Sequence, residues 1–251
     1  MALIDYYPEQ KKVFLTKLFN SFKSDEKFSS DLKISQLISE YEEQIEYVAV
    51  DQPWKMPLCL TCELKCPGYE NCDAEHIEWF WKAHRAQVKK KKTTKIFTPY
   101  TQRAVEAILS HGLEQPFMIS HAMGANSAPL LARAAFLRRR TKSDWIEVFP
   151  PLSVWRLGLH LNMKKSDLRS YRKSAMGESC RRQILNNLQK HDVVFLYKED
   201  VQAMIQSVHA FDAFISAYTA YLKFTKQTEA PPQGFPKSEG WIEFPKESLT
   251  I

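Results

Sequence analysis

The stretch Ile45-Glu46-Tyr47-Val48-Ala49-Val50-Asp51-Gln52-Pro53 decides the architecture. Its apolar, β-branched run to Val50 reads as a short strand, stopped by Asp51 and then Gln52-Pro53. Just upstream, Asp31 to Tyr41 sets Leu32, Ile34, Leu37, Ile38 and Tyr41 roughly on one side, the spacing of a helix. Further back, Ala2 to Tyr7 and Lys12 to Leu18 flank the turn Tyr7-Pro8-Glu9-Gln10 and read as an antiparallel hairpin, with Asn20 to Ser30 a polar connection. Strands alternating with a helix in this order point to an α/β fold.

Downstream, the segment from Leu58 to Asp73 has neither helical nor strand period and reads as an insertion. Glu75 to Gln87, Arg103 to Ser110 and Ser127 to Arg140 read as helices. Trp145-Ile146-Glu147-Val148-Phe149 reads as a strand stopped by Pro150-Pro151. Ser166 to Gln189 reads as mostly helical, Val193 to Tyr197 as a short apolar segment or strand, and Glu199 to Phe224 as one long helix. Trp241 to Pro245 closes the chain as a short strand-like piece. Residues 1–251 are therefore expected to form a single domain with 58–73 inserted in it.

The chain carries 35 Lys and Arg against 29 Asp and Glu, a formal surplus of +6, and its apolar fraction of 44% is enough for a core. Wholesale disorder is excluded by that composition. No stretch approaches ~18 uncharged apolar residues, so no membrane helix is expected. The opening MALIDYYPEQKK lacks a basic region followed by an apolar run, so no secretory signal is expected and the expected address is the cytoplasm.

Several acids sit inside otherwise apolar elements. Asp5 interrupts the first strand, Asp51 ends the central one, and Glu147 lies within the next. On a wheel with Val208 at zero, Asp212 falls at about 40°, beside Val201 and Thr219 at about 20° and Ile215 at about 340°. It therefore shares the apolar arc of its helix. A buried carboxylate is costly unless paired, hydrogen-bonded or bound to a cation, and carboxylates brought together raise one another's proton affinity until a divalent ion neutralises them. Each acid also has a plainer reading: Asp5 as a turn residue, Asp51 bonded to backbone, Glu147 in a salt bridge, Asp212 as a partly exposed helix acid.

Five pieces occur in order: Val48-Ala49-Val50-Asp51-Gln52-Pro53, Cys66-Pro67-Gly68, Ile146-Glu147-Val148-Phe149-Pro150, Phe211-Asp212-Ala213 with Ala217-Tyr218-Thr219-Ala220, and Glu239-Gly240-Trp241-Ile242-Glu243-Phe244-Pro245. With these pieces the chain resembles, nearly end to end, an uncharacterised family of predicted nucleases catalogued as domain of unknown function 429. The resemblance implies a ribonuclease-H-like mixed sheet flanked by helices. It implies that Asp5, Asp51 and Asp212 meet as a catalytic metal-binding centre, with Glu147 as an additional acid. Mg²⁺ or Mn²⁺ is the cofactor expected there, and hydrolysis of phosphodiesters in DNA or RNA the reaction. The chain departs from the family at its opening, where Asp5 precedes the bulky Tyr6-Tyr7-Pro8 rather than small residues. A nucleic-acid-binding or protein-interaction module keeping the fold without catalysis is the alternative. A phosphotransferase fits less well, since no Gly-rich phosphate loop is present.

Four of the five cysteines, Cys59, Cys62, Cys66 and Cys72, crowd into the aperiodic segment, whereas Cys180 stands alone and reads as structural. Clustered thiols outside a short disulfide scaffold suggest metal ligation. Structural Zn²⁺ on four thiolates is the expectation, against an iron–sulfur cluster or unliganded or disulfide-bonded thiols. His76 and His84 are the nearby imidazoles that could substitute as ligands. Three basic runs, Lys89 to Lys92 with Lys95, Arg133 with Arg138 to Arg140 and Lys142, and Arg169, Arg172, Lys173, Arg181 and Arg182, are either solvated surface or phosphate contacts for nucleic acid. Trp54 and Lys55 follow Asp51 closely enough to touch a base or sugar beside it.

Overall fold

The structure, a computed structural model, describes residues 1–19, 29–89, 98–112, 119, 121–124 and 126–250. It is a mixed α/β protein whose Cα positions cluster into two compact units. The first comprises Met1–Asp51, Thr141–Glu229 and Glu243–Ile251, and the second Gln52–Arg140 and Ala230–Ile242. Of the expected basic run Lys89 to Lys92 with Lys95, all but Lys89 lie outside the described residues, as does most of the polar connection after Phe19.

In the first unit, β1 (Ala2–Tyr7) and β2 (Lys12–Leu18) form the expected antiparallel hairpin. Lys11, at φ 50°, takes the left-handed conformation at its turn. Alternation along the strands buries Val13 and Leu15 and turns Asp5, Phe14 and Thr16 to the other face. Helix α1 (Ser30–Glu40) starts where the Ser29 hydroxyl accepts the Leu32 N–H. Strand β3 (Tyr47–Val50) is the one expected from the central stretch.

The chain then builds the second unit from α2 (Glu75–Lys89), α3 (Ala104–Gly112) and α4 (Ala128–Arg138). Helices α2 and α3 pack together, with Ile77, Phe80, Val105 and Leu109 buried. Arg103 is buried in this unit because Glu106 accepts its Nε–H at 2.7 Å. The other Glu106 oxygen accepts the backbone N–H groups of Arg103 and Ala122, each at 3.1 Å. Burying the charge is tolerable only because the pair is satisfied in this way. The segment 58–73 contains only the 3₁₀ turns Leu58–Leu60 and Tyr69–Asn71.

Returning to the first unit, β4 (Asp144–Val148) runs parallel to β3, with Ala49 opposite Ile146 and Val50 opposite Glu147. There follow α5 (Pro150–His160), α6 (Lys165–Leu168), α7 (Ser174–Lys190), β5 (Val194–Phe195), α8 (Lys198–Gln206), α9 (Val208–Phe224) and the closing β6 (Ile242–Glu243). The strands make two three-stranded sheets, in the orders β1-β2-β5 and β3-β4-β6. Helix α9 lies on both: Ala220 packs with Ile146 and Val148, and Tyr221 meets the Tyr6 ring at 4.9 Å.

Two expectations are corrected. Pro150-Pro151 does stop the strand, but it also opens α5, since proline in a first turn lacks only an N–H that has no helical partner there. The expected long helix from Glu199 is two helices broken at Ser207, whose φ −110° and ψ 113° are extended. Among the described residues no helix is long and apolar enough to cross a membrane.

Candidate active site

Asp51 and Asp212 come together in the first unit. Asp51 follows the last residue of β3, at the carboxyl end of the parallel β3–β4 pair, where open α/β sheets commonly bind ligands. Asp212 sits one turn into α9, whose start is fixed by Ser207: its hydroxyl accepts the Ala210 N–H at 3.3 Å. The residues joining the two carboxylates are Tyr171 and Arg172, in the connection before α7. One Arg172 nitrogen, Nη2, lies 2.8 Å from Asp212 Oδ2 and 3.3 Å from Asp51 Oδ2, so those oxygens can be no farther apart than the two contacts laid end to end. Arg172 Nε donates to the Tyr171 hydroxyl at 2.9 Å, and that hydroxyl donates to Asp212 Oδ1 at 3.0 Å.

The connection is held from beneath. Buried Arg181 of α7 donates to the Ile205 carbonyl at the end of α8 and to the Tyr171 carbonyl. Gly177 permits the approach, because a Cβ there would stand 2.3 Å from the Tyr171 oxygen. Arg181 thus ties the residue before Arg172 to the end of the helix preceding α9, and the segment carrying Asp212 starts two residues later.

Burial raises the proton affinity of Asp51 to about 7; Arg172 opposes the shift, and the negative charges of Asp212 and Glu147 add to it. The Asp51 side chain keeps 38% of its surface open, so solvent screens part of that repulsion. Asp212 is 6% exposed and is also raised by burial, against the pull of Arg172 and the Tyr171 hydrogen bond. Burial likewise raises Tyr171, with the Asp212 charge adding to it, so the phenol stays a donor to that carboxylate.

The other two predicted acids are placed differently. Glu147 is buried in β4, but alternation puts it on the strand face opposite Ile146 and Val148, which meet α9. It acts on Asp51 as a third and weaker negative charge. Asp5 is not brought to the pair. Its neighbour Tyr6 packs on α9, so Asp5 faces the other way, exposed, accepting the Thr16 hydroxyl at 2.6 Å. Among the described residues no group of three or more His, Cys, Asp and Glu side chains is arranged to hold a metal ion.

Sequence reasoning named Arg172 only as one of a basic run, and Tyr171 not at all. Of that run Arg181 is a buried tie, Arg169 lies over the Trp155 ring at 5.8 Å, and Arg172 meets both Asp51 and Asp212. In the second unit, Arg138 lies over the Trp54 ring at 4.6 Å, and Lys55 donates to the carbonyls of Lys237 and Ser238.

All five cysteines are free thiols, Cys59 and Cys72 half-buried, Cys62 and Cys66 exposed, Cys180 buried. Burial, reinforced by the neighbouring thiols, pushes Cys59 up to about 11. Its sulfur lies 3.5 Å from His76 Nε2, at the first turn of α2.

A family model described as "Protein of unknown function (DUF429)" matches residues 22–233. No curated protein and no solved structure matches the chain.

Proposed function

The chain belongs to that family, and we propose that it is a divalent-metal-dependent phosphodiester hydrolase of nucleic acid, built on a ribonuclease-H-like core. The observation that carries this reading is the Asp51–Asp212 pair: two carboxylates of raised proton affinity at the end of parallel strands, bridged by a single guanidinium nitrogen. The donor set fits Mg²⁺ or Mn²⁺, which take hard oxygen ligands and are commonly held by one or two carboxylates together with substrate phosphate. The acids outnumber Arg172 as the positive charge between them, and a further cation suits that imbalance.

When bound, such an ion would supply an activated water and stabilise the leaving oxygen. The chain's own groups supply the rest. Asp51, with a proton affinity near neutrality, is suited to exchange a proton with water at working pH. Tyr171 holds Asp212 Oδ1, leaving Oδ2 as the oxygen turned to the cation side, where Arg172 now contacts it. The Arg172 side chain is 45% exposed, and its planar fork can contact a phosphate as well as a carboxylate. The cysteine segment plays no part in the reaction on this reading.

The same ion pairs favour one competing reading, a binding module in which Arg172 has permanently neutralised the acids. Incubation of the purified protein with single-stranded, duplex and branched DNA and RNA, in Mg²⁺ or Mn²⁺, separates the two. Hydrolysis is expected, lowered roughly 10²–10⁴-fold in Asp212→Asn and Asp51→Asn, the range for losing a group that handles the proton. Asp5→Asn is expected to cleave like the unaltered chain. Undiminished cleavage in Asp212→Asn would remove that residue from the centre, and metal-independent binding with no cleavage of any substrate would establish the binding module instead.

A further inference from the structure

The geometry points to Arg172 as a latch on the Asp51–Asp212 pair, an inference that rests on the reading of that pair as a metal centre. Its guanidinium and a divalent cation exclude one another there. A substrate phosphate that draws Arg172 away opens the pair to the cation.

The first observation is the position of one atom. Arg172 Nη2 stands 2.8 Å from Asp212 Oδ2 and 3.3 Å from Asp51 Oδ2. Mg²⁺ holds oxygen ligands at ~2.0–2.1 Å, so an ion shared by the same two oxygens needs the space that this nitrogen fills. Two positive centres in contact also repel, the more so beside a buried carboxylate. The pair is held by the guanidinium or by the ion, not by both.

The second observation is that the side chain can leave while its mounting stays. The Arg172 side chain is 45% exposed, against 9% for that of Asp212. The main chain just before it is pinned, because buried Arg181 donates to the Tyr171 carbonyl. The Lys173 N–H, just after it, is donated to the Ser170 carbonyl at 2.8 Å. Rotation of the side chain breaks its bonds to Asp51, Asp212 and the Tyr171 hydroxyl. It leaves intact the bond from that hydroxyl to Asp212 Oδ1, so Asp212 keeps its place and only Oδ2 is released.

The third observation is charge. Ionised, the two acids carry two negative charges, which one guanidinium half neutralises and one divalent cation neutralises fully. A phosphodiester carries a single negative charge, which the planar fork of an arginine matches with two parallel bonds. Exchanging partners, with Arg172 going to phosphate and the cation to the acids, leaves both sides neutralised. Either half alone does not: the cation by itself must turn Arg172 out into water, and phosphate by itself leaves two acids facing one another. Cation and phosphodiester must therefore favour each other's binding, and by the same factor in both directions. On this account the centre fills with its cation when substrate arrives rather than before.

The test is Mn²⁺ binding to the full chain, read from the paramagnetic-resonance signal of the free ion and counting only the binding that Asp212→Asn abolishes. It is measured with and without dimethyl phosphate, a phosphodiester too inert to be turned over. In the unaltered chain dimethyl phosphate should tighten Mn²⁺ binding by roughly 5–150-fold, the ordinary span of coupling between two sites. Arg172→Gln should bind Mn²⁺ more tightly than the unaltered chain without phosphate, and dimethyl phosphate should then add nothing. Arg172→Lys, which keeps the charge but loses the fork, should fall between them. The coupling in the unaltered chain needs no variant, so a substitution that merely unfolds the protein does not decide the result. Mn²⁺ affinity that dimethyl phosphate leaves unchanged in the unaltered chain, or that is no tighter in a folded Arg172→Gln, would overturn the latch while the metal centre stood. Absence of such binding from every one of these proteins would overturn the metal centre itself, and the latch with it.

Discussion

Asp51 is the residue on which pH should act most visibly. Burial lifts its proton affinity from 3.8 to about 7, outweighing Arg172, and the charges of Asp212 and Glu147 offset only part of the pull of Arg172. Asp212 is lifted in the same direction. Between about pH 4 and pH 7 the folded chain therefore holds protons that the unfolded chain has released. Stability must fall as pH rises through that window, the opposite of an ordinary salt-bridged carboxylate. Melting of metal-free protein is expected to drop in temperature from pH 5 to pH 7.5, with a smaller drop in Asp51→Asn. Mg²⁺ added at pH 7.5 should recover part of it, by binding the ionised pair of the folded state. A melting temperature that stays flat over this range, and falls only below about pH 5, would mean that Arg172 holds Asp51 at or below its ordinary range. Residue by residue, legibility followed periodicity. Asp212 could be placed inside because Ile215, Thr219 and Leu222 recur with it along α9, and all of them are buried. Tyr171 and Arg172 lie in an aperiodic connection, where only the fold says which way a side chain turns. Tyr6 shows the converse: once it is known to meet α9, alternation alone sends Asp5 to the opposite face.

At the scale of elements, proline and serine carried two meanings that sequence could not separate. Pro150-Pro151 reads as the end of a strand, and it is that, but the same two residues are the first turn of α5. The apolar pattern from Glu199 to Phe224 continues across Ser207 and so reads as one helix, although the backbone there is extended. The wheel that first placed Asp212 drew partly on Val201, which lies on the other side of that break; within α9 alone the result stands. The break aims the site, because α9 begins at Ser207 and Asp212 lies one turn in. Removing the cap in Ser207→Ala should cost about 1 kcal/mol, the usual loss for an N-cap hydroxyl. In a chain of this length that is about 2–4 °C in melting temperature. The hydroxyl touches no substrate, so cleavage at saturating metal should change far less than in Asp212→Asn. A Ser207→Ala chain as inactive as Asp212→Asn, at unchanged melting temperature, would place Ser207 in the reaction itself.

Across the whole molecule, the two units carry donor atoms of opposite chemistry. The first gathers carboxylate oxygens, the hard donors that suit Mg²⁺ or Mn²⁺, and the second gathers thiols and an imidazole, which suit Zn²⁺. Affinity differs accordingly. Mg²⁺ sites of one or two carboxylates exchange readily and are completed by substrate, whereas a closed zinc site contributes directly to folding. Stripping the protein with a strong chelator should therefore have two separable consequences. Cleavage should vanish and return on adding Mg²⁺ or Mn²⁺ alone. Amide-exchange protection over residues 57–76 and the first turn of α2 should fall and return only with Zn²⁺, since the two 3₁₀ turns there have few other bonds to hold them. The expected pattern is thus a crossed one, each metal restoring one measurement and not the other. If Mg²⁺ restored the protection, or protection never changed, the cysteine segment would be standing on its own turns and packing, and the expectation of zinc there would fail while the carboxylate centre remained. If Zn²⁺ were needed for cleavage in a chain already supplied with Mg²⁺, the division of roles drawn from hard and soft donors would be wrong.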